Sequence, residues 1–388
     1  MTPTPVMDRL IRRTVERHIP LNVHFDLTYR CNERCIHCYL DHEDRGEMAT
    51  PEILGILDQL AEAGTLFLTI SGGEIFLRRD LFEILEYSRQ LGFDLSLKTN
   101  ALLIDAARAR RLRQLGVRRI QISIYSADPA VHDAITKVKG SLDRSLAAIR
   151  FLKAQGLQVK IACPLMKQNL ASFHNVLRLA EDLSVPYVID MTITPKMDGD
   201  TSILSLRTSA SELLPILQSR GCSERSSGPD MPSSAGLPMG SVVSSGMESS
   251  AYEDLTCSAG HNSCYISPYG DVFPCVQMPI PTGNLRTRTF QEIWNKSSEM
   301  KRVRAIRESQ LEICSSCEIR QFCERCPGLA MMEGGDLMGP YERACELAEL
   351  NAAQAGIANP VSAWHRSGRQ AASGAVQIAG CADVRVNA

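Results

Sequence analysis

No stretch of this sequence approaches the roughly 18 consecutive apolar residues that a membrane-spanning helix requires, so no membrane partner is expected. Charge of one sign is lacking too. The 42 Lys+Arg stand against 44 Asp+Glu, a formal net charge of -2, which argues against a dominant polyanion-binding role and against a nucleic-acid partner, while local patches stay open. The N-terminus, MTPTPVMDRLIRRTVERHIP, is without the apolar core of a secretory signal, so a cytoplasmic location is expected. What the chain does have is cysteine, fourteen in 388 residues. Reduced cytosolic thiols at that density point to metal binding or catalysis rather than disulfides. The length suits about two to three domains, and 44% hydrophobic residues are ample for a buried core.

The first half alternates strand and helix signals, the mark of a parallel sheet covered by helices. Asn22–Thr28 alternates at period two and runs into a cysteine loop. Thr50 and Pro51 read as an N-cap and first-turn pair opening a helix. Leu66–Ile70 is a short apolar strand ending in Ser71-Gly72-Gly73-Glu74, and a helix from Asp80 to Leu91 follows, with Gly92 suited to its C-cap. Further strands are expected at Leu95–Thr99, Arg119–Tyr125, Leu157–Ala162 and Tyr187–Thr192, with helices near Asp105–Leu115, Leu142–Gln155 and Ala171–Leu183. The α/β pattern resembles a partial (β/α)6 TIM-like barrel, whose active residues would sit at the carboxyl ends of the strands. The expected organisation is an N-terminal extension over 1–20, a barrel over 21–220, a linker or loop over 221–250, a cysteine-rich domain over 251–348 and a disordered tail over 349–388.

Cys31, Cys35 and Cys38 form C-x3-C-x2-C directly after the first strand. Three thiolates can hold three irons of a [4Fe–4S] cubane and leave the fourth open, unlike the four-cysteine ferredoxin run. His24, His37 and His42 lie nearby, so a tetrahedral zinc site stays open by count alone. Downstream, Cys257, Cys264 and Cys275 precede Cys314-x2-Cys317-x5-Cys323-x2-Cys326 and a last Cys345, eight thiols in all. The two CxxC pairs could instead be zinc knuckles, which would leave the other four without a role. Cys163 ends a buried strand, where a small apolar residue is the ordinary explanation. Cys222 lies in the Ser/Gly/Pro-rich linker and Cys381 in the tail.

TYRCNERCIHCYL after the first strand, followed by SGGE after the second, resembles the radical S-adenosylmethionine (SAM) superfamily. The resemblance implies that Cys31, Cys35 and Cys38 ligate a catalytic cluster whose open iron is chelated by SAM. Reductive cleavage of SAM to a 5′-deoxyadenosyl radical then abstracts a substrate hydrogen. It also implies SAM contacts from Ser71, Gly72, Gly73 and Glu74, with the backbone of this segment and the Glu74 carboxylate receiving the SAM ammonium. Ser123 and Asn100 sit where the family contacts SAM, Arg144 would pair with its carboxylate, and His37 takes a position that is often aromatic and packs by the adenine. The second array resembles the SPASM domain with two auxiliary [4Fe–4S] clusters, with Gly270-DVFP-Cys275 as its G-x4-C and Cys326 one residue early. By resemblance, Cys257, Cys264, Cys275 and Cys326 hold one auxiliary cluster, and Cys314, Cys317, Cys323 and Cys345 the other.

Family membership further implies post-translational modification of a ribosomal peptide or protein, as by maturases of the pyrroloquinoline quinone and mycofactocin type. The expected partners are a peptide or protein substrate, a separate leader-peptide recognition protein, and reduced ferredoxin or flavodoxin as electron donor. The alternatives are side-chain modification of a tetrapyrrole, of the haem or haem d1 type, and a non-catalytic iron-sulfur electron-transfer protein. Basic residues in the barrel mouth would favour the tetrapyrrole.

Overall fold

The computed structural model describes residues 5–213 and 254–368. The expected linker, Cys222, and Cys381 with the last part of the tail lie outside the described residues. Six parallel strands, β1 (Asn22–Thr28), β2 (Phe67–Gly72), β3 (Asp94–Thr99), β4 (Arg119–Ser123), β5 (Gln158–Pro164) and β6 (Tyr187–Asp190), lie side by side in sequence order. Helices α1 (Pro5–Glu16), α2 (Thr50–Glu62), α3 (Leu81–Gln90), α4 (Ala106–Gln114), α5 (Pro129–Thr136), α6 (Ser141–Ala154) and α7 (Phe173–Asp182) connect or flank them.

Period-two alternation sorts the strands into two faces. Leu68, Ile70, Leu95, Leu97, Ile120, Ile122, Val159 and Ile161 are buried in the main core with Leu57, Leu60, Ile84, Leu85, Leu112, Ile149 and Val176 of the helices. Each such side chain contributes about 1.5–3 kcal/mol on burial. The opposite face carries Ser71, Lys98, Gln121, Ser123 and Lys160, all of which line a cavity.

Three features differ from the sequence expectation. Helix α2 begins at Thr50 rather than being capped by it; Ala49 is the N-cap, its N–H donates to Glu52 at 2.8 Å, and the Thr50 hydroxyl donates to Asp80 at 2.7 Å. Helix α5 had no counterpart, although Asp128 caps it and Pro129 opens it. The cysteine-rich segment adds directly to the sheet: β7 (Ser263–Ile266) pairs in parallel with β1, and β8 (Asp271–Phe273) and β9 (Gly283–Asn284) extend it antiparallel to a nine-stranded order, β6-β5-β4-β3-β2-β1-β7-β8-β9.

Helices α8 (Phe290–Lys296), α9 (Ser298–Arg304), α10 (Pro327–Gly334), α11 (Glu342–Gln354) and α12 (Ala363–Arg366) complete the described chain. The expected disordered tail is ordered through its first part: α11 runs past residue 349, Ala352 is fully buried, and Glu349 accepts from Ser362 N at 2.7 Å. Arg207, beyond β6, makes a two-pronged ion pair with Glu333 of α10 at 2.6 and 2.8 Å, largely shielded from water. Arg343 of α11 donates to Met191 O and Thr208 O at 2.9 and 3.0 Å. Truncating one partner of a shielded pair strands the other charge. Arg207→Ala is therefore expected to destabilise the folded protein by about 3 kcal/mol, measured by anaerobic denaturant unfolding.

Candidate active site

The loop between β1 and α2 carries the first cysteine cluster, and its own Glu47 and three neighbouring elements hold it. Glu47 gathers its near end, accepting from the Thr28 hydroxyl at 2.6 Å, Tyr29 N at 2.8 Å and Arg30 Nε at 3.2 Å. The end of β2 binds it through Gly73 N to Thr28 O at 2.7 Å and Glu74 N to Arg30 O at 2.9 Å. After β3, Asn100 donates to Asn32 at 2.7 Å. The end of α5 accepts from Arg34 N and Ile36 N, each at 3.0 Å, through Thr136 O and Ile135 O. The helix that periodicity missed is thus a seat for the residues on either side of Cys35.

The two glycines serve this packing. Gly72 has φ +138, outside the range L side chains readily adopt, and a Cβ there would overlap Thr28 O. A Cβ on Gly73 would lie 2.6 Å from Tyr29 O and closer still to Arg30 O. Their bareness lets β2 and the cysteine loop touch backbone to backbone.

Glu74 also departs from its expected role. It is fully buried and does not line the cavity. Its carboxylate accepts from Phe76 N at 3.0 Å, Asn100 N at 2.9 Å, and the Thr99 hydroxyl, 2.8 Å from both oxygens. Burial pushes its carboxyl pKa upward and these donors oppose the shift. With its acceptor sites occupied, the side chain braces β2 against β3, leaving the backbone of residues 71–73 to face the cavity. Glu74→Gln would turn an acceptor into a donor facing donors. The expected loss is about 2 kcal/mol of stability, checked by thermal unfolding.

Cys31, Cys35, His37, Cys38, Ser71, Gly72, Gly73, Asn100 and Ser123 come together on the wall of one cavity of about 1350 Å³, at the carboxyl ends of the strands. Arg144 does not. It stands exposed in the first turn of α6, donating to Gly140 O and Lys139 O at 3.2 and 3.4 Å. Its guanidinium is engaged with backbone carbonyls at the helix start, within electrostatic range of Glu33 on the cavity wall but not itself lining it. His37 packs edge-on to Tyr125 with ring centroids 4.8 Å apart, and burial pushes its imidazole pKa down to about 4, so it is neutral at pH 7.

Sequence reasoning passed over several residues of this wall. Tyr125 stands 3.7 Å from Cys35 Sγ, and Glu33, whose carboxyl burial pushes up to about 7, lies 3.4 Å from the same sulfur. The wall also includes Tyr39, His24, Lys98, Gln121, Lys160 and Cys275. The available signal was a long polar side chain on the non-core register of alternating strands, Lys98 in LSLKT and Gln121 in RIQIS.

Eight of the other described cysteines gather into two groups. Cys257 lies within electrostatic range of Cys275 and Cys326, and Cys264 within range of Cys275. Cys345 lies within range of Cys323, Cys314 and Cys317. The shortened spacing before Cys326 still brings it into the first group. Gly328, at the start of α10, lets that helix pack on the Cys275 loop, since a Cβ there would lie 2.7 Å from the Gln277 carbonyl carbon. Cys163 is buried against Tyr125 O and Asn169.

All twelve described cysteines are free thiols. Burial pushes Cys31, Cys257 and Cys345 to about 12 and Cys275 and Cys323 to about 11. Buried thiols at that cost are inert unless a cationic centre compensates the thiolate. Three thiols around an open cavity, and two further sets of four, fit cubane iron-sulfur clusters.

Residues 25–180 match the family model of the Radical SAM superfamily, and residues 257–318 match SPASM, an iron-sulfur cluster-binding domain. The chain is 28% identical over 333 residues to the AdoMet-dependent heme synthase of Methanosarcina barkeri, covering 82% of this chain and 94% of that protein. It is 29% identical over 352 residues to the mycofactocin maturase MftC of Mycobacterium tuberculosis, covering 87% and 86%. To the PqqA peptide cyclase of Xanthomonas axonopodis pv. citri it is 28% identical over 347 residues, covering 86% and 89%. Among solved structures, Streptococcus suis SuiB bound to precursor peptide SuiA aligns with a TM-score of 0.67 at 18% identity, over 89% of this chain and 82% of that one. At that identity the likeness is one of fold.

Proposed function

Since this chain is a radical SAM enzyme with a C-terminal SPASM domain, we propose that it modifies a side chain of a ribosomally made peptide or protein by hydrogen abstraction. Its cofactors are SAM and three [4Fe–4S] clusters. When bound, they supply the electron that cleaves SAM and the adenosyl radical that takes the hydrogen. Cys31, Cys35 and Cys38 would hold the SAM-binding cluster; Cys257, Cys264, Cys275 and Cys326 one auxiliary cluster; Cys314, Cys317, Cys323 and Cys345 the other. The backbone of residues 71–73, with Asn100 and Ser123, would orient SAM, and His37 on Tyr125 offers the adenine a flat neutral partner.

The observation that carries this reading is the shared cavity. Cys31, Cys35, Cys38 and Cys275 all line it, so a substrate held there shares one chamber with the radical source and an electron acceptor. The volume exceeds the roughly 300–1,000 Å³ of ordinary small-ligand pockets, leaving space for a substrate side chain beside SAM. The peptide class is supported by the names of the relatives, MftC and PqqA peptide cyclase, and by the peptide seen with SuiB. The reading includes a separate leader-recognition protein, and reduced ferredoxin or flavodoxin as donor. No helix among the described residues is long and apolar enough to cross a membrane.

The test is anaerobic incubation of the reconstituted enzyme with SAM, dithionite and each short peptide encoded beside its gene, read by mass spectrometry. A defined mass change in one peptide is expected; no change in any of them overturns the peptide class. A tetrapyrrole is the second reading, favoured by Lys98 and Lys160 on the cavity wall and by the AdoMet-dependent heme synthases among the relatives. A porphyrin-dependent absorbance change under the same conditions would support it.

A further inference from the structure

The lumen of a (β/α) barrel is ordinarily filled by branched apolar side chains. Here strand register sets three polar residues in a row: Lys98 of β3 pairs with Gln121 of β4, which pairs with Lys160 of β5. All three line the cavity. Ser123, two residues further along β4, faces the same side, so the row lies about 7 Å deeper in the barrel than the proposed SAM contacts.

Holding such groups away from bulk water costs desolvation unless they are partnered. The acids nearby do not account for Lys98. Asp26 spends one oxygen on His24 Nε2 at 3.1 Å and the other on the Tyr265 hydroxyl at 2.9 Å. Asp190 accepts from Thr192 N at 2.8 Å. Asp26, Asp190 and Cys275 lie within electrostatic range of Lys98, yet Lys98 makes no hydrogen bond or ion pair among the described residues. Its ammonium offers three donors and the Gln121 amide beside it two more. A carboxylate, with about four acceptor sites, is the ligand that matches them.

We propose that Lys98, with Gln121 beside it, anchors a carboxylate of the substrate at the barrel floor. The anchor would set which substrate carbon stands before the Cys31–Cys38 loop. The inference rests on the cavity being the substrate site and deepens that reading: the substrate carries an acidic group one layer below its reacting carbon. The carboxylate would come from an acidic side chain or the C-terminus of a peptide, or from a propionate of a tetrapyrrole.

The test is equilibrium dialysis of the SAM-loaded holoenzyme with two matched probe pairs. The first pair is acetyl-Gly-Glu-Gly-amide and acetyl-Gly-Gln-Gly-amide; the second is a tetracarboxylate porphyrin and its methyl ester. Wild type is expected to bind the glutamyl peptide about tenfold more tightly than the glutaminyl one, the scale of one charge-assisted hydrogen bond. Lys98→Met should erase that preference and Lys98→Arg should keep most of it. Gln121→Leu should reduce it by about threefold, and it carries the test if Lys98→Met fails to fold. An acid preference confined to the porphyrin pair and lost in Lys98→Met upholds the anchor and overturns the peptide source. Equal binding of acid and neutral forms in both pairs, or a preference untouched in Lys98→Met, overturns the anchor. Failure to form 5′-deoxyadenosine, measured separately, would count against the enzyme reading instead.

Discussion

Replacing Cys31, Cys35 and Cys38 together with alanine is expected to bring 5′-deoxyadenosine formation to background and to remove about four of about twelve irons per chain. The reason is positional. The three thiols stand on the cavity wall, whereas the other two groups are built from residues beyond 254 and are joined to the barrel through β7 and the Arg207–Glu333 pair. Losing the loop cysteines should therefore leave the auxiliary ligands in place. Iron and acid-labile sulfide analysis of the purified variant reads the loss, and nucleoside chromatography reads the activity. Retention of all the iron, or wild-type SAM cleavage, would contradict the assignment.

The second large effect is expected at Gly72. Alanine there meets two penalties, a backbone at φ +138 and a Cβ against Thr28 O. Relief requires β2 to part from the cysteine loop, breaking the Gly73 N to Thr28 O and Glu74 N to Arg30 O bonds. Positive-φ strain and overpacking together cost about 3 kcal/mol. A displacement of about 1 Å in a reacting group costs about a hundredfold in rate. Gly72→Ala is therefore expected to lower both the unfolding midpoint and the rate of SAM cleavage, by about a hundredfold for the rate. Gly92→Ala is the control, since φ there is +88 but nothing lies within 4 Å of the added Cβ. It should lose some stability and keep the SAM-cleavage rate. Equal loss of rate in both variants would mean that contact with the cysteine loop is not the cause.

Much of this architecture was legible because its signals are local. Alternation in NVHFDLT, LSLKT and RIQIS marks strands whatever surrounds them, and C-x3-C-x2-C after a strand fixes the cluster loop at a strand end. The sorting of eight downstream thiols was legible only through resemblance, since spacing alone does not say which cysteines meet. What stayed hidden depends on partners far away in the chain. The pairing of β7 with β1 joins residues more than two hundred positions apart, and no periodicity records it. Glu74 looked like a ligand-facing carboxylate because its three donors come from Phe76, Thr99 and Asn100, two of them on another strand end. Arg144 looked available for a carboxylate, but helix geometry turns its guanidinium onto Gly140 and Lys139. Helix α5 could have been found from Asp128-Pro129, an N-cap followed by a first-turn proline. The lumenal row of Lys98, Gln121 and Lys160 is visible once strand register is known, and only then.

The structural division of labour is consistent. Backbone contacts through Gly72 and Gly73, the Glu74 brace and the α5 seat fix the cysteine loop. The polar faces of β3 to β5 shape the floor beneath it, and the β7–β9 extension brings Cys275 to the wall of the same cavity. Rigid elements rather than long side chains set the distances, as a radical reaction that must exclude water requires.

The central claim is that this chain cleaves SAM through the cluster held by Cys31, Cys35 and Cys38. Anaerobic incubation of the wild-type holoenzyme with dithionite and SAM, followed by chromatography of the nucleosides, tests it most directly. Equal amounts of 5′-deoxyadenosine and methionine are predicted. Intact SAM in the presence of fully reduced clusters would contradict it.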